Sequence, residues 1–529
     1  MKTISKFLIA GLCASLTALP VFGAEPGGVK DPAPVIITPR VAAELGRLWI
    51  KLEDKDLLRL AETRNYWRQR GAAVWPGADI STITAGFMFA GKGTIVLNHP
   101  APPGDCLPLA ADIPAAQWCR GAAPNLPVPT GKLYGGFPAV FLVTKEECEK
   151  NKIEACAGSY ADYSGTALHE TFHAWQWAEY QAAGLSRRSA LVSPAWSAGR
   201  EKALFLALEL KLLNDALAAG DGAAFTELLL DYLTVRNARG ALLSPADLAA
   251  EDDAETTEGS AQYVGDNLEY GDNAAVRPLA ATLADAEFGG YKGSVLLEKL
   301  REKSERRLLP PANSQNFYVS GELLALVLDR LQPGWKSGLF RSGKTIFKIL
   351  AGALPPPPDQ AERTRRVMAR YNAAGLLAGI DAALADIAAG NRKKIDDFLK
   401  TPGRRYVLKF QVSSAAELNV VGAPPVDDGR YKLYPYNFIV AVPNLNKPLK
   451  IVRSLPLLLD PAALTLTAII PEAEYSAPVI SAAGTETRGG ITYYTGGVSF
   501  DNGFWRWSGG ALQLGSDGGT TTLTFPPEK

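Results

Sequence analysis

The nine residues HETFHAWQW, His169 to Trp177, hold two imidazoles four positions apart with a carboxylate beside the first. On a helix, positions i and i+4 share one face one turn apart, so His169 and His173 can offer nitrogens to one cation while Glu170 projects beside it. This HExxH spacing is that of two zinc ligands and a general base, the base taking a proton from metal-bound water. Chance explains it poorly. The chain has three histidines among 529 residues, and random placement gives the pattern on the order of once in 1,000 such chains. Two unliganded histidines on a buried face would also carry a desolvation cost that leucine avoids. The surrounding residues predict a helix, with Asp162 or Ser164 near its start, Gly184 near its end, and Leu168, Phe172 and Trp175 as an apolar stripe.

Tetrahedral Zn2+ with one position open to water needs a third protein ligand. The remaining histidine, His99 in LNHPAPP, reads as a turn residue, which favours an acidic ligand. Glu179 stands six residues beyond His173, where metzincins place their last ligand, but that pattern needs a helix-breaking glycine where this chain has Gln176. Glu258, in AETTEGSAQYV, is the better candidate. Gly259, Ser260 and Ala261 follow it, small residues that let two helices approach as closely as a shared ion demands. Glu255, one turn earlier, is the alternative ligand or a partner that orients an imidazole. Glu251, Asp252 and Asp253 read as a solvated acidic face, and Arg236 and Arg239 as a solvated helix face rather than as cleft residues holding a carboxylate.

Three stretches together resemble the gluzincin metallopeptidases, particularly the aminopeptidase N and glycyl aminopeptidase families. HETFHAWQW is similar to their zinc helix and TEGSAQY to the segment giving their glutamate ligand. FYVSGELLALVLDRL resembles a later helix that opens with a tyrosine three residues before a glycine, and the three occur in the family order. The resemblance implies a zincin-like fold, Zn2+ as cofactor, a peptide or protein substrate, and Tyr318 as donor to the developing oxyanion, with Gly321 the matching glycine. Water attack on a zinc-bound carbonyl does build negative charge that a preorganised donor stabilises. Two departures limit the likeness, which covers about residues 164–329. His173 and Glu258 lie 258 − 173 = 85 residues apart, with a helical insertion at about 186–250 between them. The Gly-x-Met-Glu-Asn segment by which aminopeptidase N grips a free amino terminus is missing, so aminopeptidase specificity is not implied. Upstream, GGFPAVFLVTK reads equally as the edge strand that zincins lay along an extended substrate or as a plain core strand.

These residues need elements to hold them. Residues 1–24 read as a secretory signal, with Lys2 and Lys6 before an apolar stretch and small residues ending at Ala24. The expected protein is therefore secreted or periplasmic, with no later segment suited to span a bilayer. Four cysteines remain after cleavage, and the expected bridges are Cys106 to Cys119 and Cys148 to Cys156. With 55 basic and 55 acidic residues the net charge is zero, which excludes a global attraction to nucleic acid.

The predicted organisation is α+β. A mixed part at 25–160 starts with a helix in VAAELGRLWIKLEDKDLLRLAETRNYWRQRG, ending at Gly71, and then builds a small sheet. A helical, zincin-like block follows at 161–402, and a β-rich, sandwich-like domain at 403–529. The expected function is a secreted zinc metallopeptidase. The alternative is a non-catalytic, secreted or envelope-associated protein that binds peptide or carbohydrate on the same scaffold, with Trp505 and Trp507 of NGFWRWSGG as a stacking platform for sugars.

Overall fold

The computed structural model describes residues 42–45 and 48–51 and then, with short gaps, residues 70–143, 160–185, 199–271, 295–310 and 316–526. The expected signal segment and both Cys148 and Cys156 lie outside the described residues. The chain divides into two compact units, Met1–Ile380 and Asp381–Lys529.

The predicted first helix is corrected at its start. Strand β1 (Ala42–Leu45) pairs antiparallel with β2 (Leu48–Lys51), Ala42 opposite Lys51. The run offers Leu45 and Leu48 at helical spacing and Leu48 and Ile50 at period two, and short apolar runs are ambiguous in this way. Further on, residues 70–74 are helical and run past the stop expected at Gly71.

The expected small sheet is present as β3 (Thr84–Phe89), β4 (Gly93–Leu97), β5 (Asp105–Pro108), β6 (Ala116–Arg120), β7 (Thr130–Tyr134) and β8 (Phe137–Val143), in the order β5-β6-β4-β3-β8-β7. Cys106 and Cys119 face each other across β5 and β6 and form the first expected disulfide. GGFPAVFLVTK supplies β8, an interior strand parallel to β3 and antiparallel to β7. Among the described residues the end strand on this side is therefore β7, TGKLY, with β5 at the other end. The apolar run PAVFLV suits a position hydrogen-bonded on both sides, and Ala139, Val140, Phe141 and Leu142 are all buried.

Helix α1 (Tyr160–Ala182) carries HETFHAWQW and starts before the expected caps. Its Phe172 packs edge-on against Trp75, and its Trp175 against Phe340. The 186–250 insertion contains α2 (Arg200–Ala219), α3 (Ala223–Gly240) and the start of α4 (Pro245–Ala254). A π-helical turn, Glu255–Gly259, joins α4 to α5 (Ser260–Tyr270). Then come α6 (Leu296–Glu305), α7 (Asn316–Leu331), α8 (Leu339–Ser342), α9 (Ile346–Ala353), α10 (Gln360–Arg370) and α11 (Ala373–Lys400).

Of the residues predicted to be solvated, Arg236, Arg239 and Glu251 instead face the inside of this bundle, while Asp252 and Asp253 are half-buried. Arg236 and Arg239 are 2% and 1% exposed, and Glu251 and Glu255 are fully buried. Arg239 binds Glu209 (2.6 Å) and Glu251, while Arg236 binds Glu251, Glu209 (3.2 Å) and Glu255 (2.8 Å). Ser320 of α7 donates to Glu255 at 2.6 Å. Charges at helical spacing look alike whether they face water or one another, and here opposite charges from α2, α3, α4 and the π turn meet inside, where pairing makes burial tolerable.

In the second unit, the described residues between Arg404 and Phe525 contain thirteen strands in one hydrogen-bonded sheet, not the two separate sheets of a sandwich. The long strand Trp505–Asp517 explains this. It pairs along one side with Ile491–Asp501, and along the other first with Leu449–Ile451 and then with Thr520–Phe525. One strand thus ties together what could have been two sheets. Alternate residues such as Tyr406, Leu408 and Phe410, or Leu523 and Phe525, enter a common core, and Trp505 and Trp507 enter it with them. The sugar platform is thereby overturned, since both indoles are buried. The expectation that no later segment suits a bilayer also needs correction: α11 is long and apolar enough by composition, with mean hydropathy 1.5 over its best window. In the second unit its Ile395 and Phe398 pack against Leu433, Leu458 and Ile469.

Burial, and behind it the neighbouring Glu251, pushes the Glu255 carboxyl up to about 7 against the pull of Arg236. A raised folded value means that the folded state holds a proton the unfolded chain has already released. Stability therefore falls as pH rises from about 4.5 to 7. In urea unfolding between pH 5 and 8, wild type is expected to lose a few kcal/mol more than Glu255→Gln, at about 1.4 kcal/mol per pH unit. Equal slopes for the two proteins would refute this account of the network.

Candidate metal centre

The His169 and His173 side chains leave the same face of α1, with ring centroids 4.6 Å apart. Glu258 approaches from the π turn, its Oε2 lying 2.9 Å from His173 Nε2 and 3.6 Å from His169 Nε2. One ligand atom from each residue falls within 4.8 Å of the others, and both histidines are buried. A cation about 2.1 Å from each donor would hold them about 3.4 Å apart, close to this arrangement. The donor set, two imidazole nitrogens and one carboxylate oxygen, is that of an open zinc site.

Backbone contact makes the convergence possible. Where α1 crosses α5, a Cβ on Gly265 would lie 2.7 Å from the Gly165 carbonyl oxygen. Where the π turn crosses α7, a Cβ on Gly259 would lie 2.4 Å from the Gly321 Cα, and one on Gly321 2.3 Å from the Glu255 carbonyl oxygen. The glycine after Glu258 and the glycine after Tyr318 are thus two halves of one crossing. The π turn contributes separately, because a π turn changes the angular register of the side chains along a helix. Glu255, three residues before Glu258, is spent on Arg236 and Ser320, while Glu258 reaches the histidines.

Glu170 and Tyr318 join this group. The Gly131 backbone N–H of edge strand β7 donates to Glu170 Oε2 at 2.9 Å, so the carboxylate sits between the helix and the sheet edge. A Cβ on Gly131 would come within 2.1 Å of the Glu170 carbonyl oxygen, so only glycine lets β7 lie this close to α1. The Tyr318 ring stacks on His169, with centroids 5.6 Å apart and planes 13° from parallel. Other sequence candidates lie elsewhere. Glu255 faces Arg236 and Ser320 in the buried ion network, not the two histidines. Glu179 pairs with Arg341 at 2.5 Å. His99 is buried, its Nε2 2.8 Å from the Tyr134 carbonyl oxygen, between the rings of Tyr134 and Phe137.

Sequence reasoning missed Gln176. Its side chain touches both ligand-bearing segments: Oε1 lies 2.7 Å from His173 Nδ1, and Nε2 donates to the Thr257 carbonyl at 3.0 Å and to Ser260 Oγ at 2.8 Å. The available signal was its place three residues beyond His173, on the same helix face.

No protein-family model, curated protein or solved structure matches the chain.

Gly259→Ala is expected to destabilise the protein by about 1–3 kcal/mol, the usual cost of overpacking, and to weaken metal uptake by forcing the π turn away from α7. Thermal melting together with zinc titration checks both. An alanine variant with wild-type melting and zinc binding would show that the crossing does not govern the site.

Proposed function

We propose that this protein is a secreted, zinc-dependent metallohydrolase that cleaves peptide bonds. The observation that carries the reading is the meeting of His169, His173 and Glu258 at coordination range, with Glu170 and Tyr318 beside them. A cation there, when bound, supplies Lewis acidity toward a carbonyl and a more acidic water. The chain's own residues do the rest. Glu170, aimed by the Gly131 N–H, takes a proton from the attacking water on its carboxylate and returns it to the leaving nitrogen. Tyr318, fixed by its stack on His169, donates its hydroxyl hydrogen to the oxygen that gains charge.

A peptide substrate is favoured by strand β7. It pairs with β8 on one side and, as an end strand of the sheet among the described residues, has its other side available to an extended chain within one residue's contact of Glu170. The signal-like residues 1–24 favour action outside the cytoplasm. Burial of Trp505 and Trp507 removes the feature that favoured carbohydrate binding.

Purified protein is expected to carry one zinc per chain and to cleave members of an unstructured peptide library. Glu170→Gln should keep the metal and lose about 10²–10⁴-fold in turnover, and Tyr318→Phe should keep it and lose about 10²–10³-fold. Zinc-free protein, or full turnover by Glu170→Gln, would defeat the proposal.

A further inference from the structure

We infer that Gln176 is a positioning residue that fixes the tautomer of His173 and holds the π turn in register with it, so that ligands 85 residues apart present their lone pairs to one point. The inference rests on the metal-centre reading above and extends it to a residue that touches neither ion nor substrate.

Hydrogen-bond chemistry settles the direction of each bond. The Thr257 carbonyl can only accept, so the Gln176 group facing it is the amide nitrogen. That same nitrogen meets Ser260 Oγ, whose own hydrogen goes to the Thr256 carbonyl at 2.5 Å. Both amide hydrogens of Gln176 are then committed to the π-turn side, and its Oε1 must face His173. An oxygen 2.7 Å from Nδ1 requires the hydrogen on Nδ1. The Nε2 lone pair is thereby left facing Glu258 Oε2, 2.9 Å away. Two lone pairs at that distance repel unless a proton or a cation lies between them. Gln176 thus presents an electron-rich pair to whatever cation the site takes.

Neither an aspartate nor a leucine could fill this role. Gln176 is 2% exposed, and it accepts from one ligand's ring while donating to the turn that carries another. A carboxylate would serve the imidazole and repel the Thr257 carbonyl. An apolar side chain would free the ring to rotate or change tautomer. Partners of this kind typically contribute about 10–100-fold in metal affinity.

The test uses the full-length mature protein as Gln176→Leu and Gln176→Glu, with zinc affinity read by chelator competition, ligand geometry by the visible absorption of the Co2+-substituted protein, and folding by melting of the metal-free form. Gln176→Leu is expected to bind zinc about 10–100-fold more weakly while its metal-free melting point stays within about 3 °C. Gln176→Glu, which keeps the acceptor for His173 and loses both donors, should recover part of the affinity with an altered Co2+ spectrum. Zinc affinity of Gln176→Leu within threefold of wild type overturns the inference, as does a loss matched by an equal loss of metal-free stability. If Gln176→Leu does not fold, an unchanged affinity and spectrum in Gln176→Glu overturns it. Wild-type protein that takes no zinc removes the metal-centre reading itself, whereas normal wild-type binding with an indifferent Gln176 removes only this inference.

Discussion

Side chains from two helices reach a common point within 3 Å only when the backbones beneath them nearly touch. Three glycine contacts meet that demand here: Gly165 with Gly265, Gly259 with Gly321, and Gly131 with the carbonyl of Glu170. Each removes a Cβ where any side chain would force a segment outward. The rest of the first unit follows from this closeness. Helices α1, α5 and α7 and the π turn cannot separate without pulling His169, His173, Glu258 and Tyr318 apart, and β7 cannot lift without releasing Glu170. The side chains that meet here are common residue types. Their convergence is the work of residues that have no side chain.

Close packing brings a second demand, the neutralisation of charges trapped behind it. Arg236 and Arg239 sit among Glu209, Glu251 and Glu255, all buried, and Arg236 also reaches Asp252 at 3.4 Å. With acids in excess, burial raises both Glu255 and Asp252 toward the neutral form. A buried network of this kind is weak evidence for added stability, since desolvation offsets much of the attraction. What it does supply is direction. Glu255 is anchored by Arg236 and by Ser320 of α7, so the start of the π turn is tied to the helix that carries Tyr318.

The convergence of His169, His173 and Glu258 was legible because its spacing is short-range: HExxH encodes geometry within one helix, and the small residues after Glu258 signalled a close crossing. Of the two candidates, Glu258 faces the histidines and Glu255 faces Arg236, and the π turn that separates them leaves no mark in composition. The ion network was misread because amphipathic spacing shows which residues share a face and not what that face meets. Gln176 escaped notice because its partners Thr257 and Ser260 are more than 80 residues away. GGFPAVFLVTK reads equally as an edge or a core strand in sequence, and it is the core reading that β8 fits, since strong apolarity marks a strand covered on both sides. Likewise Trp505 and Trp507 alternate as a platform would, but alternation fixes only that they share a side. Their side is the core.

The five-residue turn Glu255–Gly259 is in effect an α-helix holding one surplus amino acid. Wound as regular α-helix, the same residues would swing all of α5 about its axis by most of the roughly 100° that one residue spans. Ser260, Tyr263 and Gly265 would then look away from α1 even though not one of them had been replaced. The looser winding of this one turn therefore decides which side of α5 meets α1.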